Sequence, residues 1–184
     1  MRSFYFLVIF FFCLTLITNA QSDQLEYQAH HKDDITVIEY NPDGKYIVSG
    51  SWDESIIIQR NDSTHEVMQQ IHDNRGAIRS ISFSRDGYQM ITGGQDGKLN
   101  VYHFNDSFFS IATLDTTLII NQSQINKLIY GPGMRTIFSA GDDGRFIAYD
   151  IAKDQVIPIK TSRPISAAGV AIDRMSYFIA HEKR

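Results

Sequence analysis

Apolar positions form one continuous block at the start of the chain and short alternating runs in the rest of it. The block extends from Phe4 to Ile17 and is almost entirely apolar. Beyond residue 21, runs rich in Ile, Val, Tyr and Phe alternate with polar residues and end at Asp-Gly or Gly-Pro-Gly turns. A period of two is typical of β-strands, and we find no capped helical period of useful length. The pattern therefore predicts an all-β region behind an apolar N-terminal segment.

The alternating runs recur at a fixed distance along the chain. Residues 35–60 overlay on residues 78–103 without a gap, at a shift of 43 positions. A third copy at residues 125–150 is displaced by a further 47 positions, and a shorter fourth copy begins at Ile165. The strands predicted in the first copy are Ile35–Tyr40, Lys45–Gly50, Ser55–Arg60 and His65–Ile71. Four strands in each period are typical of a β-propeller blade, whereas a β-sandwich does not require such a self-overlay.

The first two copies resemble the WD40 repeat family. The resemblance rests on "NPDGKYIVSGSWDESIII" in the first copy and "SRDGYQMITGGQDGKLNVYH" in the second, and it extends over essentially all of residues 21–184. It implies a partial β-propeller of four-stranded antiparallel blades, open unless another chain completes it. We expect about three and a half blades. Their approximate limits are residues 30–71, 72–114 and 121–160, with a partial blade at 165–184.

In this family a His, a Ser or Thr, an Asp and a Trp form a hydrogen-bonded network that stiffens each blade. Gln59 and two tyrosines stand where the Trp is expected, and the third copy lacks the His. We therefore expect blades that are less rigid than consensus ones. The resemblance implies that the network residues are His30, Ser49 and Asp53, then His72, Thr92, Asp96 and Tyr102, then Ser139, Asp143 and Tyr149.

The resemblance also implies one circular face for partner binding, where the residue before each network Asp lies. In this chain those residues are Trp52, Gln95 and Asp142. A Trp exposed beside polar groups is typical of a binding hot spot. The alternative for Trp52 is that it packs on an adjacent blade.

The N-terminal block has the layout of a secretory signal peptide. Arg2 supplies a minimal positive end, and Ala20 offers a small residue for cleavage before Gln21. The block is shorter than the roughly 20 residues of a membrane span, so a signal anchor over residues 1–20 is the second interpretation and a buried core segment the third. Cleavage would place residues 21–184 outside the cell or in the secretory lumen. A membrane-anchored chain, or a cytoplasmic one if the segment is not used, are the alternatives.

Composition adds several expectations about chemistry. The net charge of −4 does not favour binding to nucleic acid. Cys13 is the only cysteine and would leave with the signal peptide, which excludes disulfides and thiolate sites from residues 21–184. Adjacent side chains of a strand point to opposite sides, so His30 and His31 make a poor metal chelator. The sequons predict N-glycosylation in exposed turns at Asn61, Asn105 and Asn121.

No motif places a nucleophile, a base and an orienting group together, so we expect no catalytic, cofactor or metal site. The first functional hypothesis is a non-catalytic scaffold that binds a protein or peptide. The second is a fragment of a larger propeller enzyme or assembly subunit whose functional elements lie outside this chain. We expect no contact with nucleic acid and none with a membrane beyond the N-terminal segment. Open blade edges are expected to allow self-association.

Overall fold

The structure is a computed structural model that describes residues 30–104, 112–131, 133–160, 165–170 and 177–181. All regular elements in these ranges are β-strands. The strands are β1 (Ile35–Tyr40), β2 (Tyr46–Ser51), β3 (Ile56–Arg60), β4 (Val67–Ile71), β5 (Ile78–Phe83), β6 (Gln89–Gly94), β7 (Lys98–Phe104), β8 (Ala112–Ile119), β9 (Ile125–Tyr130), β10 (Thr136–Gly141), β11 (Arg145–Asp150), β12 (Gln155–Lys160), β13 (Ile165–Val170) and β14 (Tyr177–His181). None of the elements in these ranges is a helix of the length and apolar character that a membrane span requires.

Consecutive strands pair antiparallel in chain order and form three four-stranded sheets. We call them blade 1 (β1–β4), blade 2 (β5–β8) and blade 3 (β9–β12), and we call the two-stranded sheet of β13 and β14 the partial blade. The predicted strands of the first copy agree with β1–β4 to within two residues. The last strand of blade 2 runs to Ile119, beyond residue 114 of the sequence interpretation.

Asp-Gly turns join the first two strands of blades 1 and 2. Gly44 and Gly87 have φ of +72° and +78°, which a residue without a Cβ adopts without strain. Asp43 Oδ1 accepts a hydrogen bond from Lys45 N at 3.0 Å, and Asp86 Oδ1 accepts one from Tyr88 N at 3.1 Å. The carboxylates thus hold the turns closed, and the sheet register follows from them.

The hydrophobic core lies between the blades. Alternate residues of one strand face opposite neighbours: Met90 packs in a cluster with blade 1, and Ile91 packs in a cluster with blade 3. A third cluster joins Phe146 of blade 3 to Ile165 of the partial blade. Blades 2 and 3 are therefore stabilised by contact with neighbours on both sides, and blade 1 by contact with blade 2, rather than by cores of their own.

Glycines in the second strands allow the blades to approach closely. A Cβ added to Gly50 would lie 2.5 Å from Ile78 Cγ2, and one added to Gly93 would lie 2.8 Å from Leu128 Cδ1. Both distances are far below van der Waals contact, so the first strand of the next blade occupies the space of the missing side chain.

The described sheets form an open arc, as the sequence predicted. Ile38 and Tyr40 of blade 1 are 55% and 57% exposed. The counterparts of Ile38, which are Ile81 in blade 2 and Leu128 in blade 3, are both 0% exposed, because the preceding blade covers them. Phe83 and Tyr130, the counterparts of Tyr40, are half-buried. The first strand of blade 1 thus presents an apolar face of the kind that blades 2 and 3 bury.

Candidate interaction face

The turns between the second and third strands lie at one end of the blades, together with the links that precede the first strands. We call this surface, formed by residues 30–34, 52–54, 72–77, 95–97, 120–124 and 142–144, the upper rim. The structure places Trp52, Gln95 and Asp142 at equivalent, exposed positions of the upper rim.

One repeated main-chain hydrogen bond fixes these three residues. Trp52 N donates to Asp34 O at 3.0 Å. The corresponding bonds join Gln95 N to Ala77 O at 3.0 Å and Asp142 N to Gln124 O at 3.1 Å. Because the backbone is held in the same way in each blade, the exposed side chains are presented at regular intervals along the arc.

The network of blade 1 is centred on His31. Its Nε2 lies 2.7 Å from Ser49 Oγ and its Nδ1 lies 2.8 Å from Ser55 Oγ. Asp53 completes the network, because its Oδ1 accepts from Ser55 Oγ at 2.6 Å and its Oδ2 accepts from Lys32 N at 2.6 Å. Ser49 and Asp53 were predicted as members of this network. The prediction of His30 is wrong: its side chain is exposed, and His31 takes its place in the network.

Hydrogen bonding determines the protonation of Asp53. Burial alone would raise the pKa of this carboxyl, but hydrogen bonds from Ser55 and Lys32 and the nearby His31 ring hold the pKa well below its usual range. Asp53 is therefore ionised at every physiological pH and is a weak proton acceptor.

In blade 2 an asparagine takes the place of the histidine. Asn100 Nδ2 donates to Asn74 Oδ1 at 2.7 Å, and Thr117 Oγ1 donates to Asn100 Oδ1 at 2.7 Å. His72 is exposed, so its predicted network role is wrong. Asp96 accepts a hydrogen bond from Lys98 N at 3.0 Å.

Thr92 and Tyr102 lie at the predicted place inside blade 2, where both are 0% exposed. Their hydroxyl groups make no hydrogen bond of normal geometry within the described residues. Burial and the charge of Asp73 raise the pKa of Tyr102 to about 12, although the nearby polar groups of Asn74, Thr92 and Asn100 oppose this shift. Blade 2 therefore contains the predicted groups without the complete predicted network.

In blade 3 an asparagine, Asn121, again occupies the position of His31. Ser139 Oγ donates to Asn121 Oδ1. Asp143 Oδ1 lies 3.4 Å from Asn121 Nδ2, and its Oδ2 accepts from Gln122 N at 2.9 Å. Ser139 and Asp143 thus both contact Asn121, which occupies the position of the histidine that the third copy lacks.

The predicted role of Tyr149 is wrong. Its hydroxyl donates to Asp154 Oδ1 at 2.8 Å, in the turn that follows β11 and away from Asp143. The phenol thus fastens the turn between the last two strands at the end of the blade opposite the upper rim.

The glycosylation sites differ in accessibility. Asn121 is 3% exposed and its amide is engaged in the blade 3 network, so the expectation of an exposed acceptor there is wrong. Asn61 is exposed, with Nδ2 donating to Gly44 O at 2.7 Å, and its glycosylation stays a prediction. Asn105 lies outside the described residues, as do residues 1–20 with the expected signal peptide.

A contact that the sequence analysis missed joins blades 1 and 2 at the upper rim. Arg79 Cζ lies 5.0 Å from the ring centroid of Trp52, within the range of a cation–π interaction. Trp52 remains 41% exposed. The Nε atom of Arg79 is buried and has no hydrogen-bond partner within the described part of the chain. No local motif marks this pair, because it forms only when two blades stand side by side.

Metal binding finds no support in the residues that the structure describes, which contain no group of three or more His, Cys, Asp or Glu side chains suited to an ion.

Comparison with known proteins identifies the repeats. Residues 22–58 and 66–103 match the WD40 family, described as "WD domain, G-beta repeat". Two segments of the chain thus match WD40 repeats. The sequence is 32% identical over 76 residues to Ribosomal RNA-processing protein 9 of Saccharomyces cerevisiae, a match that covers 41% of this chain and 13% of that protein. It is 26% identical over 119 residues to Ribosome biogenesis protein ERB1 of Candida albicans, over 60% of this chain and 14% of that protein.

A solved structure of RRP9 WD40 repeats superposes with a TM-score of 0.66 at 17% sequence identity, covering 75% of this chain and 42% of that one. This likeness shows the fold, so the predicted partial propeller of four-stranded antiparallel blades is confirmed. The chain spans only a minor part of the length of each of these relatives.

Proposed function

We propose that this WD40 chain is a non-catalytic scaffold that binds a protein or peptide at its upper rim. The observation that carries the proposal is the equivalent, exposed placement of Trp52, Gln95 and Asp142 by one repeated main-chain hydrogen bond. Exposed side chains on a rigid sheet scaffold are the usual basis of recognition by loops, and a Trp provides a large contact area.

The chemistry of the rim carboxylates supports a binding role. Asp53 and Asp143 each accept hydrogen bonds from two backbone N–H groups, so both serve to close turns. The low pKa of Asp53 makes it a poor general base. These carboxylates therefore suit a fixed structural role better than proton transfer.

The names of two relatives associate those proteins with ribosomal RNA processing and ribosome biogenesis. Because of this similarity, we propose that the partner of the scaffold belongs to a ribonucleoprotein assembly. The N-terminal segment favours the secretory route instead. Mass spectrometry of the expressed chain distinguishes the two: cleavage after Ala20 with a glycan on Asn61 supports secretion, and an intact, unglycosylated chain contradicts it.

The partner-binding proposal is tested by affinity capture with matched variants. Trp52→Ala removes the exposed ring, and Tyr88→Ala removes a ring of similar exposure (40%) in the β5–β6 turn, at the opposite end of blade 2. We expect proteins bound by the wild type to be lost with Trp52→Ala and retained with Tyr88→Ala, as measured by quantitative mass spectrometry. Equal recovery with both variants would contradict a role for the upper rim.

We also infer that the chain associates with a second copy through the first strand of blade 1. Ile35, Ile38 and Tyr40 are 44%, 55% and 57% exposed, although the equivalent Ile78 and Ile81 in blade 2 are 1% and 0% exposed. Since a neighbouring blade covers these positions inside the chain, a blade of a second copy has the shape and apolar character to cover them between chains.

A further inference from the structure

We propose that Trp52 and Arg79 form a binding site for a single carboxylate of an acidic peptide. This inference rests on the proposed function, because it names the chemistry of the ligand that the upper rim recognises. It is supported by the contact between these two residues, because each of them differs from the equivalent residues of the other blades.

Trp52 is the first departure. The equivalent residues of blades 2 and 3 are Gln95 and Asp142, so an aromatic ring occurs at this rim position in blade 1 alone among the three blades. Its backbone is held like theirs, by the hydrogen bond to Asp34 O at 3.0 Å. The ring therefore changes the surface of the rim without changing the turn beneath it.

Arg79 is the second departure. It occupies the irregular position of the first strand of blade 2, between Ile78 and Ser80, and such a bulge re-aims the side chain that it carries. The equivalent residues are Thr36 in blade 1 and Asn126 in blade 3.

Both counterparts tie their blade to the next one. Thr36 Oγ1 donates to Ile78 O, and Asn126 Nδ2 donates to Ile165 O at 2.8 Å. Arg79 lies instead over Trp52 of the preceding blade, and its Nε has no acceptor within the described residues. Because Arg79 does not make the hydrogen bond to the next blade that its counterparts make, it is a candidate for a functional role.

The position of Arg79 suits it to bind an anion. The guanidinium lies over the indole ring, with Cζ 5.0 Å from the ring centroid. An arginine presents five N–H donors in a flat fork that matches a carboxylate. Arg79 forms no ion pair within the described part of the chain. A ligand carboxylate would pair with the positive charge of the guanidinium, and an apolar neighbour in the ligand would contact the exposed part of Trp52.

The surrounding charges favour one carboxylate over a phosphate chain. Asp33 and Asp34, both exposed, belong to the link that holds the backbone of Trp52. The chain as a whole carries a net charge of −4. A polyanion such as RNA would place several charges near these carboxylates, whereas a single carboxylate can be directed at Arg79 alone.

Trp52 is the only tryptophan of the chain, so its fluorescence reports directly on the site. The full chain is titrated with two acetylated and amidated peptides, Gly-Leu-Glu-Leu-Gly and Gly-Leu-Gln-Leu-Gly, and with a short oligouridine RNA. We expect a saturable change of Trp52 emission with the glutamate peptide and at least tenfold weaker binding of the glutamine peptide. Equal binding of the two peptides, or tighter binding of the RNA, would overturn the proposal.

Variants separate the carboxylate site from a general effect of charge. Arg79→Gln is expected to weaken binding of the glutamate peptide at least tenfold. Arg79→Lys is expected to weaken it severalfold, since it keeps the charge but loses the flat fork. Arg85→Gln, which removes an exposed arginine of the β5–β6 turn at the opposite end of blade 2, is the control and is expected to stay within twofold of the wild type. Unchanged binding by Arg79→Gln overturns the proposal.

The two proposals fail in different ways. If Trp52→Ala abolishes protein capture but no variant of Arg79 alters peptide binding, the carboxylate site is wrong and the scaffold function stands. If Trp52→Ala leaves capture unchanged, the scaffold proposal itself is wrong. Thermal unfolding of each Arg79 variant, read by circular dichroism, shows whether the fold is kept, and the Lys variant provides a second reading if the Gln variant is unstable.

Discussion

His31 Nε2 lies 2.7 Å from Ser49 Oγ and thereby joins the link before blade 1 to the middle of its second strand. Ser49 pairs with Ile38 on one side and Ile57 on the other, so the imidazole is anchored at the centre of the sheet. The other ring nitrogen lies 2.8 Å from Ser55 Oγ, at the start of the third strand. One side chain therefore connects three segments of the blade, which makes it a point where stability can be measured.

Replacing His31 by alanine is expected to lower the free energy of unfolding by about 2–3 kcal/mol, because it leaves two serine hydroxyls without their partner. Urea denaturation followed by circular dichroism measures the change. His30→Ala is the matched control and is expected to alter the free energy by less than about 0.5 kcal/mol, since that side chain is exposed. A larger effect at His30 than at His31 would contradict the network described for blade 1.

Asp53 makes the stability depend on pH. Its pKa is lower in the folded chain than in the unfolded chain, so the ionised carboxylate stabilises the fold above pH of about 4. This contribution is lost progressively as the pH falls below about 4 and the carboxyl becomes protonated. Asp53→Asn is expected to be less stable than the wild type at pH 7, by about 1–3 kcal/mol.

The readout for Asp53→Asn is the difference in unfolding free energy between variant and wild type, measured by urea denaturation from pH 7 down to pH 2. Other carboxyls titrate in both proteins and largely cancel from this difference. We expect the difference to shrink as the pH falls below about 4. A difference that stays constant over the whole range would show that the charge of Asp53 does not stabilise the blade.

Much of the fold could be predicted from the sequence repeat. The Asp-Gly turns and the shift between copies predicted three four-stranded sheets, because turn chemistry and strand alternation are local properties. The network histidine was misplaced for an identifiable reason. His31, Asn74 and Asn121 are related by the same shifts of 43 and 47 residues as the strands, whereas His30 and His72 are not. The repeat register of the chain itself was a better guide than the family motif.

Other features depend on which blades meet, and no local pattern reveals them. The contact between Trp52 and Arg79 joins residues of two blades. The burial of Asn121 follows from its bond to Ser139, although the local sequence reads as an exposed sequon. The Tyr149 hydroxyl donates a hydrogen bond to Asp154, which lies in the turn after β11. Sequence rules based on adjacent residues do not contain this information.

Gly93 tests how closely blades 2 and 3 pack. An alanine Cβ there would lie 2.8 Å from Leu128 Cδ1 and 3.2 Å from Ile125 Cδ1, so the buried side chains must shift. We expect Gly93→Ala to lower the free energy of unfolding by about 1–3 kcal/mol through overpacking. Gly169→Ala is the control, because no atom lies within 4 Å of the added Cβ. Equal effects of the two substitutions in urea denaturation would contradict the close approach of the blades.

The exposed first strand of blade 1 tests self-association. Sedimentation over a range of concentrations is expected to show that the wild type forms a dimer or larger species. The double variant Ile38→Lys with Tyr40→Lys is expected to sediment as a monomer, because two charges on the contact face must be desolvated when a second blade covers them. Both positions are more than half exposed in the single chain, so the fold should tolerate the substitutions.

Ile119→Lys separates a specific face from general hydrophobicity. Ile119, at the end of β8, is 80% exposed and therefore presents more of its apolar surface to water than Ile38 or Tyr40 does. If association follows exposed apolar area alone, this variant should dissociate the dimer as well. If blade-to-blade packing drives association, Ile119→Lys should keep the sedimentation behaviour of the wild type, because Ile119 lies at the end of β8 in blade 2 and not on the first strand of blade 1. A wild type that remains monomeric at every concentration would show that the face of blade 1 does not bind a second copy.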